Sequence, residues 1–389
     1  MKKLYISTVA ASLLTTGALA DSSSIKDAFA NGKVSGDISI YTESVDLNNG
    51  DKDTGFTNSS IGIQYETDSF NGFKAAIGGR TNHKFSEKND GDYINSYTED
   101  KDNDSEAVLS TANISYTSDY GTIIAGRQEI DLEWIGDFHE AVVAEITAIP
   151  DTTVVVGHTT RFMEANADTN LGKMADIGDS GATVIDVKYE GIENVVINPY
   201  FINASMNDGD LTDGVENGSD DDFSAYGLKA TASVSNIDLT AHYAATSEDD
   251  SATEDGSIAH LEVGTTISNI SLAAGYITTD KDGGIGSIST LGDNIDPSEE
   301  LGDYIYGTNS DTFYVNVGAE VSIVALGAQY AQSEYDDGAS KNEEASEILL
   351  TADIAITDEL SFGAFYSSVD AEDSDDDQDK LAAMLTYSF

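Results

Sequence analysis

The chain has 389 residues, no cysteine, and 71 acidic against 18 basic residues, which gives a formal net charge of −53 at pH 7. Such an acidic chain cannot bind nucleic acid by neutralising phosphates. Without cysteine, disulfides, thiolate nucleophiles and cysteine-ligated zinc sites are excluded. No proline-rich linker divides the sequence, so one large repetitive domain is expected. The acidity itself fits either a salt-adapted surface or Asp-rich loops that stay hydrated.

The first twenty residues have the features of a secretory signal peptide. Lys2 and Lys3 precede an apolar stretch, residues 4–14, and the small residues Gly17 and Ala18 lead to Ala20. This pattern predicts a signal peptide over residues 1–20, cleaved after Ala20, and a mature domain over residues 21–389. The alternative is a membrane anchor helix, which the apolar run is too short to form because about 20 residues are needed to span a bilayer.

The rest of the chain alternates apolar residues with small or polar ones. Val34, Ile38 and Ile40 fall on one face of the first segment, and Asp37 and Ser39 fall on the other. This period of two is typical of a strand with a different environment on each face. No apolar stretch of about 18 residues follows the signal segment, so transmembrane helices are not expected. A membrane protein built only from strands must close into a barrel, which pairs every backbone group.

The alternating segments predict an all-β fold, a transmembrane antiparallel β-barrel of about eighteen strands. Short connections alternate with long acidic ones (82–106, 206–222, 280–310 and 371–379), as in outer-membrane barrels with short periplasmic turns and long extracellular loops. Strand ends read from a pattern are uncertain by a few residues, so sixteen strands is the alternative. Barrels of 16–18 strands leave an aqueous channel. The predicted strands are 33–43, 59–67, 73–81, 107–117, 121–128, 140–148, 152–162, 181–190, 195–205, 223–233, 237–246, 257–267, 270–279, 311–320, 323–333, 346–355, 360–369 and 380–389.

The last segment is the most specific feature of the sequence. Leu381, Ala383, Leu385, Tyr387 and Phe389 share one apolar face, and Phe389 is the final residue. This segment resembles the C-terminal strand by which outer-membrane barrels are recognised for insertion. Leu385, Tyr387 and Phe389 are therefore expected to be an insertion signal for the barrel-insertion machinery.

Two further motifs carry a resemblance to a known family. They are Ile25-Lys26-Asp27-Ala28-Phe29-Ala30-Asn31-Gly32-Lys33-Val34-Ser35-Gly36 and Ala125-Gly126-Arg127-Gln128-Glu129-Ile130-Asp131, the second followed by Trp134 and Glu140-Ala141. The whole chain resembles Gram-negative outer-membrane porins and is most similar to the Opr-type (OprD-like) family. The resemblance implies passive diffusion of small hydrophilic solutes across the outer membrane and an inward-folded loop that narrows the pore. It implies no cofactor, and because trimers are common among similar porins, a homotrimer is one expected assembly.

The third external loop in chain order, residues 129–139, is the predicted constriction. Acidic groups in a narrow lumen favour cations, as Asp/Glu rings do in channels. The alternative is a surface loop with the average acidity of the chain. The predicted constriction residues are Arg127, Glu129, Asp131, Glu133, Asp137 and Glu140.

Six basic residues are predicted to line the pore wall. A charge on the lipid face near the bilayer midplane costs about 2–4 kcal/mol, so charged strand residues are expected to face the lumen. Opposite an acidic loop, they would set a transverse field across the constriction. His158 does not fit this register, because it shares the apolar face of Val154 and Val156; either a bulge or a misassigned strand would explain it. The predicted wall residues are Lys74, Arg80, Arg127, Arg161, Lys188 and Lys229.

Other functions find little support in the sequence. The Asp-rich segment 208–214 suggests calcium but fails the EF-hand spacing, so no metal site is predicted. No zinc-protease, nucleophile-elbow or phosphate-loop motif occurs, and an enzyme is not expected. The chief alternative to a pore is a plugged barrel with a structural or adhesive role through its acidic loops. A secreted, salt-tolerant β protein is a more distant one.

Overall fold

The computed structural model describes residues 21–48, 52–93, 107–168, 171–178, 180–205, 222–249, 253–338, 340–373 and 376–389. The predicted signal peptide and the calcium candidate at 208–214 lie outside these ranges. Within them, the helices are α1 (Ile25–Ala30), a 3-10 helix (Gly286–Leu291) and α2 (Gly302–Tyr306). None of the helices in these ranges has the length and apolar character needed to cross a membrane.

A single antiparallel sheet contains nineteen strands, one of which, β8, has two residues; the other eighteen form a closed wall. The predicted barrel and its strand number are confirmed. The strands are β1 (Lys33–Leu47), β2 (Thr54–Glu66), β3 (Phe73–Glu87), β4 (Ala107–Ser118), β5 (Gly121–Glu129), β6 (Phe138–Ile149), β7 (Thr152–Met163), β8 (Ala175–Asp176), β9 (Gly181–Ile192), β10 (Val195–Ser205), β11 (Phe223–Val234), β12 (Ile237–Glu248), β13 (Ser257–Ile267), β14 (Ile270–Thr279), β15 (Thr308–Val321), β16 (Val324–Asp337), β17 (Ser340–Ala355), β18 (Leu360–Ala371) and β19 (Gln378–Ser388).

The wall closes between the first and last strands. β1 pairs with both β2 and β19. The seam extends to Phe389, whose backbone N–H donates to Gly36 O at 3.0 Å and whose carbonyl accepts from Gly36 N at 2.9 Å. Closure leaves no free sheet edge for pairing with other chains. Leu385, Tyr387 and Phe389 all lie on the outer face and are 40 to 46% exposed.

Replacing Phe389 by alanine should lower the yield of folded barrel several-fold, because the exposed ring belongs to the predicted insertion signal. The measurement is the heat-modifiable fraction on a gel after expression. Phe313→Ala is the matched control, since Phe313 is 45% exposed on the same outer surface but lies in β15. Equal loss in both variants would contradict a special role for the last strand.

The two ends of the barrel differ in their connections. At one end, called the short-turn end, several turns have two residues, and Ser235, Ser268 and Ser322 in these turns have φ near 60°. At the opposite, long-loop end the strands extend beyond the predicted limits by up to six residues; β17 begins at Ser340, whereas the alternation begins at residue 346. The wall is also uneven: β5 has 9 residues and β17 has 16. β5 is the shortest of the eighteen wall strands, and we call β4–β7 around it the low side.

The core of the molecule lies inside the barrel. Among the described residues, three connections from the long-loop end turn inward; they are called loop 130–137, loop 164–178, of which residues 164–168 and 171–178 are described, and loop 281–307. The last of these was predicted to be external, and the structure corrects that prediction, because its apolar residues are buried against the inner wall. These residues are Ile285, Ile288, Leu291, Ile295, Leu301 and Ile305, each at most 4% exposed.

Candidate pore constriction

Loop 130–137 is attached to the inner wall at β10 and β12 by an aromatic chain. Trp134 is fully buried, and its Nε1 donates a hydrogen bond to the Tyr200 hydroxyl at 2.8 Å. That hydroxyl also lies 2.8 Å from His242 Nε2. The Tyr200 ring crosses Gly227, where a Cβ would stand 2.1 Å from the ring. Gly227 therefore permits Tyr200 to extend along the wall and meet the loop.

Glu133 joins loop 130–137 to the wall and to loop 281–307. Its Oε1 accepts from Lys229 Nζ at 2.8 Å, and its Oε2 accepts from Asn294 Nδ2. His242 Nε2 stands 4.0 Å from the same carboxylate. The carboxylate of Glu133 is thus a structural anchor whose charge is offset by Lys229.

The backbones of these two loops also meet. Gly136 N donates to Leu291 O at 3.1 Å. The Gly136 carbonyl lies 2.7 Å from Nε2 of His139, a fully buried side chain whose Nδ1 lies 3.0 Å from Thr159 Oγ1. Loop 130–137 is consequently held by the side chain of Trp134, by the side chain of Glu133 and by backbone hydrogen bonds.

Loop 164–178 crosses the lumen from β7 towards β2 and β3. Asn58 Nδ2 donates to Ala167 O at 3.1 Å, and Asn82 Nδ2 donates to Asn166 O at 2.9 Å. The loop thereby places Asp168 near the inner wall, where burial raises the pKa of its carboxyl group above the usual range. A buried carboxylate that is only partly compensated carries an electrostatic field into the lumen.

The far end of loop 281–307 is held by Glu347 on β17. The Glu347 carboxylate accepts the backbone N–H groups of Glu299 and Glu300 at 3.1 and 3.2 Å and the Ser367 hydroxyl at 2.5 Å. The side chain of Glu300 in turn pairs with Lys380 Nζ at 2.7 Å. Sequence reasoning missed Lys380, although its position opposite the apolar face of the last strand was a usable signal.

One carboxyl group from each inward loop contributes to a shared acidic region. Burial, together with repulsion from Asp293 and Asp168, raises the pKa of the Asp137 carboxyl to about 6. Of the other predicted acidic residues, Asp131 is exposed, and Glu129 ends β5 opposite Phe138. Glu133 and Asp137 are therefore the two predicted constriction residues that the structure brings against loop 281–307, whereas Asp131 lies in loop 130–137 with its side chain exposed.

The inward-facing basic residues are paired. Arg80 Nη2 lies 2.6 Å from Asp37 Oδ1, and the pair crosses Gly62, where a Cβ would stand 2.7 Å from the carboxylate. Lys74 pairs with Glu66 at 2.8 Å, and Lys188 pairs with Glu190 at 3.1 Å, both near the short-turn end. With Lys229 on Glu133, four of the six predicted wall residues lie on inward-facing positions.

The other two predicted wall residues, Arg127 and Arg161, and the predicted constriction residue Glu140 were expected to face the pore, and this prediction is wrong. Arg127 is paired across the sheet with Ala112, which is itself paired with the outward-facing Ile77, and on its other side it is paired with Glu140. Glu140 is paired with Arg161. Residues that are directly paired point to the same side of a sheet, so Arg127, Glu140 and Arg161 all lie on the outer face.

His158 lies on the outer face, where the alternation places it, and a bulge beyond it explains the misplacement of Arg161. The pairing of β6 with β7 shifts between Glu140 and Ala141, leaving Thr160 as the extra residue. His158, below the bulge, faces outward and lies 3.0 Å from Thr183 Oγ1. Above the bulge the alternation is reversed, so Arg161 turns outward and Phe162 turns inward. The sequence-based register assumed a regular strand and therefore misplaced both.

Comparison with known proteins found a matching family model and several solved structures with a similar fold. A family model described as Gram-negative porin matches residues 7–389. The Pseudomonas aeruginosa OccK8 (OprE) structure superposes with a TM-score of 0.72 at 12% identity, covering 93% of this chain and 99% of that chain. Acinetobacter baumannii OccAB1 gives 0.72 at 13% identity, covering 93% and 97%, and Pseudomonas aeruginosa OccK3 (OpdO) gives 0.69 at 12%, covering 94% and 97%. No curated protein sequence gave a significant match.

Proposed function

Because the chain belongs to the Gram-negative porin family and forms an outer-membrane channel for small solutes, we propose that it conducts by passive diffusion with a preference for cations. The proposed constriction is built by loop 130–137, loop 164–178 and loop 281–307 together. Contacts with the inner wall, above all those of Trp134 with Tyr200 and of Glu347 with the backbone at Glu299, keep these loops in the lumen. The constriction predicted at residues 129–139 is thereby extended to three loops.

The observation that carries the cation preference is the balance of charge around the inward loops. Three cations, Arg80, Lys229 and Lys380, have carboxylate partners at 2.6, 2.8 and 2.7 Å. Carboxyl groups on or beside the same loops outnumber these three cations, and seven of them are named here in addition to Glu347. Charge in a narrow, partly desolvated lumen attracts counter-ions more strongly than charge on an open surface. The seven are Asp37, Glu43, Glu133, Asp137, Asp168, Asp293 and Glu300.

The test is the reversal potential of the channel in a planar bilayer under a salt gradient. We expect a sign that reports cation preference, and we expect Asp137→Asn to move the potential towards zero at neutral pH. Asp131→Asn is the matched control, because Asp131 lies in the same loop but is exposed. An anion-selective potential would contradict the preference. The absence of current would favour the plugged, structural or adhesive barrel.

The proposal also covers the export and assembly of the chain. Residues 1–20 act as the signal peptide, and residues 21–389 form the porin domain. Leu385, Tyr387 and Phe389 are presented to the barrel-insertion machinery on the outer face of the last strand. A homotrimer is the assembly that similar porins suggest, and the proposed function involves neither a cofactor nor an enzymatic step.

A further inference from the structure

Charged side chains on the outer face of the barrel are not explained by conduction. Arg127, Glu140, Arg161 and Asp176 form one group there, which we call the outer ionic cluster. Their side chains are 28, 43, 36 and 68% exposed, respectively. Because a charge facing the bilayer is costly, such a group requires either water or a ligand.

The pairing inside the outer ionic cluster is incomplete. Arg127 Nε and Arg161 Nη1 approach the same oxygen, Glu140 Oε2, at 3.5 and 3.7 Å. Charge-assisted hydrogen bonds are normally about 2.7–2.9 Å long. Only the contact between Arg161 Nε and Asp176 Oδ1, at 2.8 Å, has that length. Glu140 Oε2 is thus shared by two guanidinium groups and forms a short, charge-assisted hydrogen bond with neither.

The cluster lies close to the extracellular rim of the barrel. It occupies the low side, where β5 ends at Glu129, only two residues beyond Arg127. Arg127 is paired with Ala112 on β4, but its Nη1 donates to Leu109 O at 3.0 Å. Leu109 is three residues nearer to the rim than Ala112. The guanidinium of Arg127 is therefore directed towards the rim. This is the height of lipid headgroups and not of the bilayer midplane.

Below the cluster, the same wall is mostly apolar, with His158 and Thr183 as polar exceptions. Ile123, Val142 and Val156 lie on the outer face towards the short-turn end and are 51, 55 and 39% exposed. A ligand on this surface therefore meets hydrocarbon-compatible side chains below and two guanidinium groups above. A lipid with acyl chains and a phosphate group has this distribution, and guanidinium groups bind phosphate through paired N–H donors.

We propose that the outer ionic cluster binds the phosphate group of a lipid in the outer leaflet, between Arg127 and Arg161. The phosphate oxygens accept hydrogen bonds from both arginines. Glu140 alone offers the two arginines a single shared oxygen. Glu140 and Asp176 then position the guanidinium groups and contribute no direct contact to the phosphate. Basic sites at the headgroup level are a recognised way for membrane proteins to bind anionic lipids.

The experiment is native mass spectrometry of the full-length barrel released from detergent, titrated with a phosphorylated acyl-glucosamine lipid of the outer leaflet. We expect the double variant Arg127→Gln/Arg161→Gln to bind this lipid at least about tenfold more weakly. Lys74→Gln/Lys188→Gln is the matched control, because it removes the same charge from the lumen. Unchanged heat-modifiable migration of both variants shows that the barrel is folded.

Three outcomes would overturn the proposal. The first is equal lipid binding by the wild type and the arginine variant. The second is binding of inorganic phosphate as tight as that of the lipid, which would identify a site for the free ion. The third is a dimer or trimer that dissociates only in the arginine variant, which would show that this surface contacts a second copy of the chain. Lipid binding retained by the conservative variant Arg127→Lys/Arg161→Lys would support the proposal.

Discussion

Replacing Trp134 by alanine should raise the single-channel conductance several-fold. The indole is fully buried and links loop 130–137 to Tyr200 on the inner wall at β10. Truncating a buried tryptophan removes about 3–5 kcal/mol of packing free energy, which exceeds what one loop anchor needs to lose for the loop to leave its position. Since that loop also contacts loop 281–307 through Gly136, both loops should become displaced and the lumen should widen.

The measurement is conductance in a planar bilayer, with heat-modifiable migration as the test of folding. Tyr200→Phe is the graded control, because it removes the hydrogen bond and retains the ring, for a loss of only about 0.5–1.5 kcal/mol. Its conductance should stay near that of the wild type. A folded Trp134→Ala channel with unchanged conductance would show that the loop does not narrow the pore.

Lowering the pH from about 7 to about 5 should weaken cation selectivity, with a midpoint near the Asp137 pKa of about 6. Burial is the main cause of this raised pKa, and the neighbouring Asp293 and Asp168 add repulsion. Protonation removes one negative charge from the region where the inward loops meet. Asp137→Asn should abolish the change over this pH range, whereas the exposed Asp131→Asn should retain it.

Protonation of Asp137 stabilises the folded barrel, whereas protonation of a salt-bridged carboxylate destabilises a folded protein. The pKa of Asp137 is higher in the folded protein than its ordinary value of 3.8. As pH falls through about 6, the folded state therefore takes up a proton that the unfolded state does not yet bind, and the barrel gains stability. The gain is complete below the ordinary pKa. Thermal unfolding in detergent should show a higher melting temperature at pH 5 than at pH 7, and this difference should vanish in Asp137→Asn.

The sequence predicts the membrane-facing part of the barrel well. Period-two alternation arises because one face meets lipid and the other meets water, so it is present wherever the strand crosses the bilayer. Beyond the bilayer both faces are wet, and the alternation no longer has a physical cause. For this reason β17 is observed from Ser340, whereas the pattern predicts a start at residue 346.

The constriction was predicted less well, for two separate reasons. The rule that a charge avoids lipid placed Arg127 and Arg161 in the lumen, but near the rim of the low side an outward charge is cheap. The rule that long acidic connections are external placed residues 280–310 outside. The spacing of Ile285, Ile288, Leu291 and Ile295 at intervals of three and four residues was a signal for a buried turn of helix, which the Asp- and Gly-rich composition obscured.

Glu347 holds loop 281–307 through main-chain amides. This contact fixes the position of the loop without fixing which side chains the loop presents. Glu347 binds main-chain amides, which every residue type except proline provides. Side chains at positions 299 and 300 can thus be exchanged without losing these two backbone bonds, although exchange of Glu300 removes its pair with Lys380. Evolution, or a protein engineer, is free to retune the preference of the channel for different solutes by changing these two side chains, while the scaffold that presents them stays where it is.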